Sequence, residues 1–345
     1  MHAMVVVPTV REFHEWRKYS ENFLQKRHKY EVLVIGEEDH INAHTMKDGK
    51  FWGIKEREKW FKENNLEKFS DLIPKKSHAE TSFGLLIALE RKPDMVVFID
   101  DDTIPLDHDY LGTHWKMLES KPKILESDNK WLNSIDPHQF KFFPRGFPYS
   151  MRKGAFVREV SHGITKTVAN QGLWQNIPDF NAIDYLHFND RSICKAQDFT
   201  AALGNWLTVC SMNLAFRPEI IPAFYQLPMP AMGVGRFDDI WSGLFLKKCA
   251  DKLGHGISTG NPLCSHNKFP RNIFEDIRAE SIGIEINETL FKELEKINLN
   301  HNNYLENYEQ MAKELSSDAF GKHKDYIDFL KSYMLKWCDL IRRLI

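Results

Sequence analysis

Three short, unbroken apolar runs stand out along the chain: residues 3–8 (AMVVVP), 31–36 (EVLVIG) and 95–99 (MVVFI). Runs of this length without polar alternation are expected of strands covered on both faces. Between them the rhythm changes to a helical one. Thr9-Val10-Arg11-Glu12 has the T-x-x-E spacing in which a threonine caps a helix and a glutamate reaches back. It predicts a helix through about Arg27, with Phe13, Trp16, Ser20 and Phe23/Leu24 on or near one face. Ser77-His78-Ala79-Glu80 repeats the spacing ahead of a helix to about Lys92, which Pro93-Asp94 ends. Strands alternating with helices predict an α/β, Rossmann-like fold: a central, mostly parallel sheet flanked by helices. Ligands of such sheets sit beyond the carboxyl ends of the strands. Pro8, Thr9 and Arg11, the acidic turn Glu37-Glu38-Asp39, and Asp100, Asp101 and Asp102 are therefore expected to converge on one crevice.

The pattern weakens over residues 121–200, which are aromatic-rich and punctuated by Pro, Gly and Asn, and read as irregular loops and short strands on the acceptor side. Strand character resumes in NWLTVCSMNLAF (205–216), and RFDDIWSGLFLKKCADKLG (236–254) reads as a helix with Asp238 and Asp239 in its first turn. From about residue 287 the chain is polar and helix-prone, with Tyr326, Phe329, Leu330, Tyr333, Met334 and Trp337 at helical spacings. Two parts follow: a catalytic domain over 1–286 and a helical extension over 287–345. The extension packs on the core or on a second copy, which would make a homo-oligomer.

Composition narrows the function. With 46 Lys+Arg against 48 Asp+Glu and no long basic block, the chain carries no field that would gather nucleic acid. The five cysteines are isolated, form no C-x-x-C pair and read as reduced thiols of a cytoplasmic protein. No stretch has the length and apolarity of a membrane span, and MHAMVVVPTV lacks the basic leader and cleavage site of a secretory signal.

The chemistry centres on VVFIDDDTIPLDHDY (96–110), where an apolar strand runs into three aspartates. Clustered carboxylates repel, and a hard cation such as Mg²⁺ or Mn²⁺ bridging them to a substrate diphosphate would relieve this. Alternation along an extended segment would turn Asp100 and Asp102 toward the metal and Asp101 away, to a ribose or a backbone donor; a solvated turn is the plainer alternative. His266, after another strand-like stretch, is an acceptable third ligand, and Lys268 beside it could neutralise phosphate. Asp238 and Asp239 could act as general bases, although acids also favour the first turn of any helix. Arg145 and Arg152 lie in PRGFPYSMRKG (144–154), and guanidinium forks clamp phosphate in two-pronged fashion. Trp131, Trp174 and Trp206 could stack on sugars or simply fill the core. Neither GVG nor GHGISTG sits in the strand-to-helix G-x-G-x-x-G setting, so a flavin or nicotinamide cofactor is not supported.

In order along the chain, VVPTVRE, PKKS, FIDDD, RGFPYSMR, GLWQNIPDFNA, SMNLAF, GVGRFDDIWSG and SHNK resemble the reversibly glycosylated polypeptide family, also known as UDP-arabinopyranose mutases. The resemblance covers residues 4 to about 275. It implies a GT-A-type nucleotide-sugar-binding fold, a divalent metal and a UDP-sugar substrate. Lys76 of PKKS joins the nucleotide-binding candidates. The family's aspartate triplet falls on Asp100, Asp101 and Asp102, its reversibly glycosylated arginine on Arg145, and its second required arginine on Arg152. One departure is that VSHG (160–163) is separated from GLWQNIPD (172–179), which lengthens the loop beside the sugar. Arginine is an awkward nucleophile, since making it neutral at pH 7 costs roughly 7–9 kcal/mol. Phosphate clamping is the alternative role. A UDP-sugar mutase, a transferase acting on a separate acceptor and a non-catalytic partner subunit all remain open at this point.

Overall fold

The computed structural model describes all residues except 10, 12, 38–48, 107, 121, 140, 162, 188–196, 230 and 268–271. In the N-terminal third, β1 (His2–Pro8), β2 (Lys29–Ile35), β3 (Gly49–Trp52) and β4 (Met95–Ile99) are joined through α1 (Trp16–Gln25), α2 (Ile54–Glu63) and α3 (Thr81–Arg91). They pair in parallel in the order β3-β2-β1-β4. The apolar runs read as buried strands because each presents residues to two cores. Met4 and Val6 face α3, where Phe83 and Leu86 lie; Ala3, Val5 and Val7 share the other side with Trp16, Tyr19 and Phe23 of α1. Burial of such side chains contributes about 1.5–3 kcal/mol each, and neither face is left to water.

Both helix starts differ from the capping boxes expected. Helix α1 begins at Trp16, and the Thr9 hydroxyl instead lies 2.5 Å from the Arg11 carbonyl and 2.7 Å from Asp101 Oδ2. Glu12, its expected partner, lies outside the described residues. Ser77 does cap, accepting from the Ala79 N–H at 3.2 Å, but ahead of a single 3₁₀ turn; Glu80 turns to Arg57 at 3.3 Å instead of reaching back.

The rest of the chain extends the sheet and seals it. It supplies β5 (Thr103–Pro105), α4 (Tyr110–Glu119), β6 (Lys123–Ser127), β7 (Val157–Val160), β8 (Lys166–Asn176), β9 (Phe199–Ala201), β10 (Asn213–Phe216), α5 (Asp238–Lys252), β11 (His255–His266), α6 (Ile273–Lys296), α7 (Tyr304–Glu314) and α8 (Lys324–Leu344). Among the described residues the strands form one sheet ordered β3-β2-β1-β4-β10-β8-β11-β9-β6-β7, with β5 on β11. β10 runs antiparallel to both its neighbours, whereas β8–β11 and β6–β9 are parallel.

Two sequence expectations change here. The segment read as irregular carries β8, an 11-residue strand near the middle of the sheet. Its centre, Ala-Asn-Gln-Gly, is polar because Asn170 belongs to a buried hydrogen-bonded cluster: its side chain meets His114 Nδ1 at 2.9 Å and accepts from Ser258 Oγ at 2.9 Å. The expected boundary at 286/287 falls within α6. The C-terminal helices pack on the main core, one of the two arrangements expected of them, with Trp337 stacked on Tyr225 at 4.9 Å and Tyr308 against Phe245. No helix among the described residues is long and apolar enough to cross a membrane. Cys210, Cys249, Cys264 and Cys338 are buried; Cys194 lies outside the described residues.

Candidate functional site

At the carboxyl ends of β1, β2 and β4 opens a cavity of about 600 Å³, lined by Pro8, Thr9, Arg11, Glu37, Lys76 and the three aspartates, and closed opposite by Arg145, Asp238, Asp239 and His266. The topology sets this position: each parallel strand ends at the same rim. Glu38 and Lys268, expected beside it, lie outside the described residues.

Asp100 to Asp102 do not continue β4 as an extended segment. They form a turn closed by the Thr103 N–H and hydroxyl, which donate to the Asp100 carbonyl at 3.3 and 2.8 Å. The alternation argument therefore fails, and all three acids line the cavity. Asp101, expected to turn away, is held by Thr9 and by Arg11, whose Nη2 donates to Oδ1 at 2.7 Å. Burial pushes the Asp100 carboxyl up to about 7; His78 pulls it down, and Asp102 and Asp101 add to the rise.

Across from the turn, His266 ends β11. Its Nδ1 is 2.8 Å from the Ile177 carbonyl, leaving Nε2 3.5 Å from Asp102 Oδ2. A histidine whose Nδ1–H is fixed on a carbonyl while Nε2 faces a carboxylate is oriented as metal-ligating histidines commonly are. Among the described residues no three His, Cys, Asp or Glu side chains are grouped so as to hold a metal by themselves. Asp102 and His266 with Asp100 beside them fit a hard cation of the kind that completes its shell with water and substrate phosphate.

Arg145 sits on a turn at whose next residue, Gly146, φ is +80° and a Cβ would come within 2.3 Å of Ile240. Its guanidinium was expected to face phosphate. Instead Nε donates to Asp179 at 2.9 Å, Nη1 and Nη2 donate to the two oxygens of Asp239 at 3.0 and 2.9 Å, Nη1 also meets the Arg236 carbonyl, and Nη2 lies 3.9 Å from Cys210 Sγ. Burial opposes the charge, but Asp179 and Asp239 outweigh it and hold the group well above its already high ordinary value. Every N–H of the fork has a protein partner, because two buried carboxylates need it more than solvent does.

The same pairing alters the general-base candidates. Asp239 is occupied by Arg145 and by the Ser211 N–H at 3.2 Å. Asp238 Oδ2 lies 2.6 Å from His78 Nδ1, an ion pair without an aligned hydrogen bond. Burial pushes the Asp238 carboxyl up, yet the histidine outweighs it and leaves it below the usual carboxylate range, which suits a counter-ion better than a base. Arg152 does not line the cavity: it forks onto Asp184 with two contacts of 2.9 Å and lies 3.8 Å over the Tyr149 ring. Trp131, Trp174 and Trp206 are all buried in the core.

The lining residues that escaped the sequence reading include His78, Asp179, Arg236 and Ser211. Each sits within or beside a stretch already singled out (PKKS, NIPD, GVGRFDD, SMNLAF), so adjacency to those motifs was the available signal. Arg236 takes a left-handed backbone (φ +61°), and its Nε donates to Glu280 of α6 at 2.7 Å.

A family model described as reversibly glycosylated polypeptide matches residues 3–344. UDP-arabinopyranose mutase 3 of Arabidopsis thaliana is 29% identical, over 97% of this chain and 89% of its own. A probable UDP-arabinopyranose mutase 1 of Solanum tuberosum is 30% identical, over 91% and 84%. The crystal structure of glucosyl-3-phosphoglycerate synthase from Mycobacterium tuberculosis, in complex with Mn²⁺, UDP and phosphoglyceric acid, aligns with a TM-score of 0.43 at 15% identity, covering 83% of this chain and 76% of that one.

Proposed function

The chain belongs to the reversibly glycosylated polypeptide family, and from that premise we propose that it is an enzyme of the UDP-arabinopyranose mutase type, interconverting pyranose and furanose forms of a UDP-sugar. The observation that carries the reading is the acid-lined cavity at the strand ends, in a chain that matches mutases over nearly its whole length. Ring interconversion is an isomerisation with no net change of electrons, so it asks for no oxidant or reductant. The bond between the anomeric carbon and the diphosphate breaks with its electron pair leaving on oxygen; a different sugar hydroxyl then bonds to the anomeric carbon as the bond to the original ring oxygen opens, its proton passes to that released oxygen, and the diphosphate returns to the anomeric carbon.

Asp102 and His266, with Asp100, would hold the divalent cation, Mn²⁺ or Mg²⁺, whose bound charge would offset that of the departing diphosphate. Thr9 and Arg11 brace Asp101 at the rim. To Arg145 we assign the orienting of Asp179 and Asp239: a covalent sugar on Arg145 would require one N–H to leave its carboxylate and a proton to leave a guanidinium stabilised by two acids.

Incubation of the purified chain with Mn²⁺ and a panel of UDP-sugars tests the reading. An isomerised sugar nucleotide is expected. Free UDP with a glycosylated third molecule would replace the mutase by a transferase, and no turnover would leave a partner subunit. Intact-mass analysis of the same samples is expected to show an unmodified chain; a hexose or pentose mapped to Arg145 would overturn the orienting role.

A further inference from the structure

A diphosphate entering this cavity needs a cation with a donor to spare, and the arginines lining it are committed. Arg11 reaches Asp101 at 2.7 Å, Arg145 is closed on Asp179 and Asp239, and Arg236 donates to Glu280 at 2.7 Å. Lys76 lines the cavity on an exposed side chain and supplies charge without fixed geometry. His78, two residues on, is different. Its ring is 33% accessible, its Nδ1 is anchored 2.6 Å from Asp238, and among the described residues no group accepts from its Nε2.

We propose that His78 is a phosphate-holding residue of the pocket: Asp238 keeps the ring an imidazolium, and the uncommitted Nε2–H donates to a phosphate oxygen of a nucleoside diphosphate. Burial works against a charged ring, but Asp238 outweighs it and lifts His78 to about 10, so the positive charge is present at neutral pH. In this arrangement Asp238 is a positioning residue, which fixes the charge and orientation of the ring and touches no substrate. A cation held this way gives direction as well as charge, which an exposed lysine does not. The inference rests on reading the cavity as a UDP-sugar site.

Calorimetric titration of the full-length chain with UDP and, separately, with uridine, in constant Mg²⁺, tests it. The unsubstituted chain is expected to bind UDP more tightly than uridine. His78→Gln, similar in size and uncharged, is expected to weaken UDP binding about 10- to 100-fold, as loss of one charge-assisted hydrogen bond does, and to leave uridine binding unchanged. His78→Arg is expected to recover much of the UDP affinity. Unaltered UDP affinity in His78→Gln would overturn the proposal, as would equal losses for UDP and uridine, which would mean that the ring only supports the pocket wall. Failure of the unsubstituted chain to bind UDP would instead remove the UDP-sugar reading and this inference with it, a result visible before any variant is made.

Discussion

Two histidines sit in polar clusters on either side of the strand end where Met212 gives way to Asn213, and burial acts on both in the same direction with opposite outcomes. His114 on α4 is completely buried, with Nε2 2.9 Å from Asn213 Oδ1 and Nδ1 2.9 Å from the Asn170 side chain. Its neighbours are neutral, so burial prevails and drops it to about 4. His78 faces Asp238, and the carboxylate reverses the sign. The amide cluster is closed: Tyr110 donates to Asn213 at 2.7 Å, and Asn213 donates to the Leu173 carbonyl at 2.8 Å. Such a network rigidifies a core and offers nothing to a ligand. In the acid cluster Asp101, Asp102, Asp238 and Asp239 each have a basic neighbour, yet the turn at Asp100–Asp102 and the His78 Nε2 remain turned to the cavity. Burial thus yields scaffold in one place and a site in the other, and the difference lies in whether the partners carry charge.

Substitution can separate the two clusters. Asp102→Ala should abolish UDP-sugar turnover, measured by separation of the sugar nucleotides, while the thermal unfolding curve stays close to that of the parent; retained activity would remove Asp102 from the metal site. Arg145→Met strips the counter-charge from Asp179 and Asp239 and should cost about 3–5 kcal/mol in a denaturant titration. A near-neutral result would show that those acids take up protons without penalty.

Acid should act through the amide cluster. The folded-state value of His114, about 4, lies below its ordinary 6.5, so its contribution is complete above pH 6.5 and is lost as pH falls toward 4. The loss is about 3 kcal/mol across that window, and His114→Gln, which cannot titrate, should lack that part of the pH dependence. Alkali should act, more weakly, through the acid cluster. His78 is raised to about 10, so its ion pair stabilises fully below pH 6.5 and fades as pH rises through 10. Its partial exposure shrinks the effect, and His78→Gln should flatten the alkaline limb of the stability curve only slightly. A steeper limb in the variant would reverse the assignment of charge.

The N-terminal strands were legible because Val-rich runs buried on both faces carry their own signal, and the crevice followed from where those runs stop. β8 was not, because Asn170 and Gln171 are polar residues whose partners, His114 of α4, Ser258 of β11 and the Cys210 N–H, are distant in sequence. The aspartate turn was legible as a cluster but not in its geometry, since Thr103 rather than strand pleat sets the direction of the side chains. Arg145 was identified as chemically special from its motif. That its fork would close on Asp179 and Asp239 depends on contacts 34 and 94 residues away, which no local pattern encodes. Glycine-free helix caps misled for the same reason: Thr9 and Glu80 had better offers from Asp101 and Arg57 than from the backbone.

The pairing of β4 with β10 bears on how the protein is made. Residues 95–99 are complete about 115 residues before their partner, Asn213–Phe216, is synthesised. At about 5–20 residues per second, a nascent chain holds the open edge of Met-Val-Val-Phe-Ile for roughly 6–23 s. An apolar, unpaired edge of that kind templates association between neighbouring chains. Yield in a heterologous host should therefore respond to growth temperature and to trigger-type chaperones more than to the thermodynamic stability of the finished molecule.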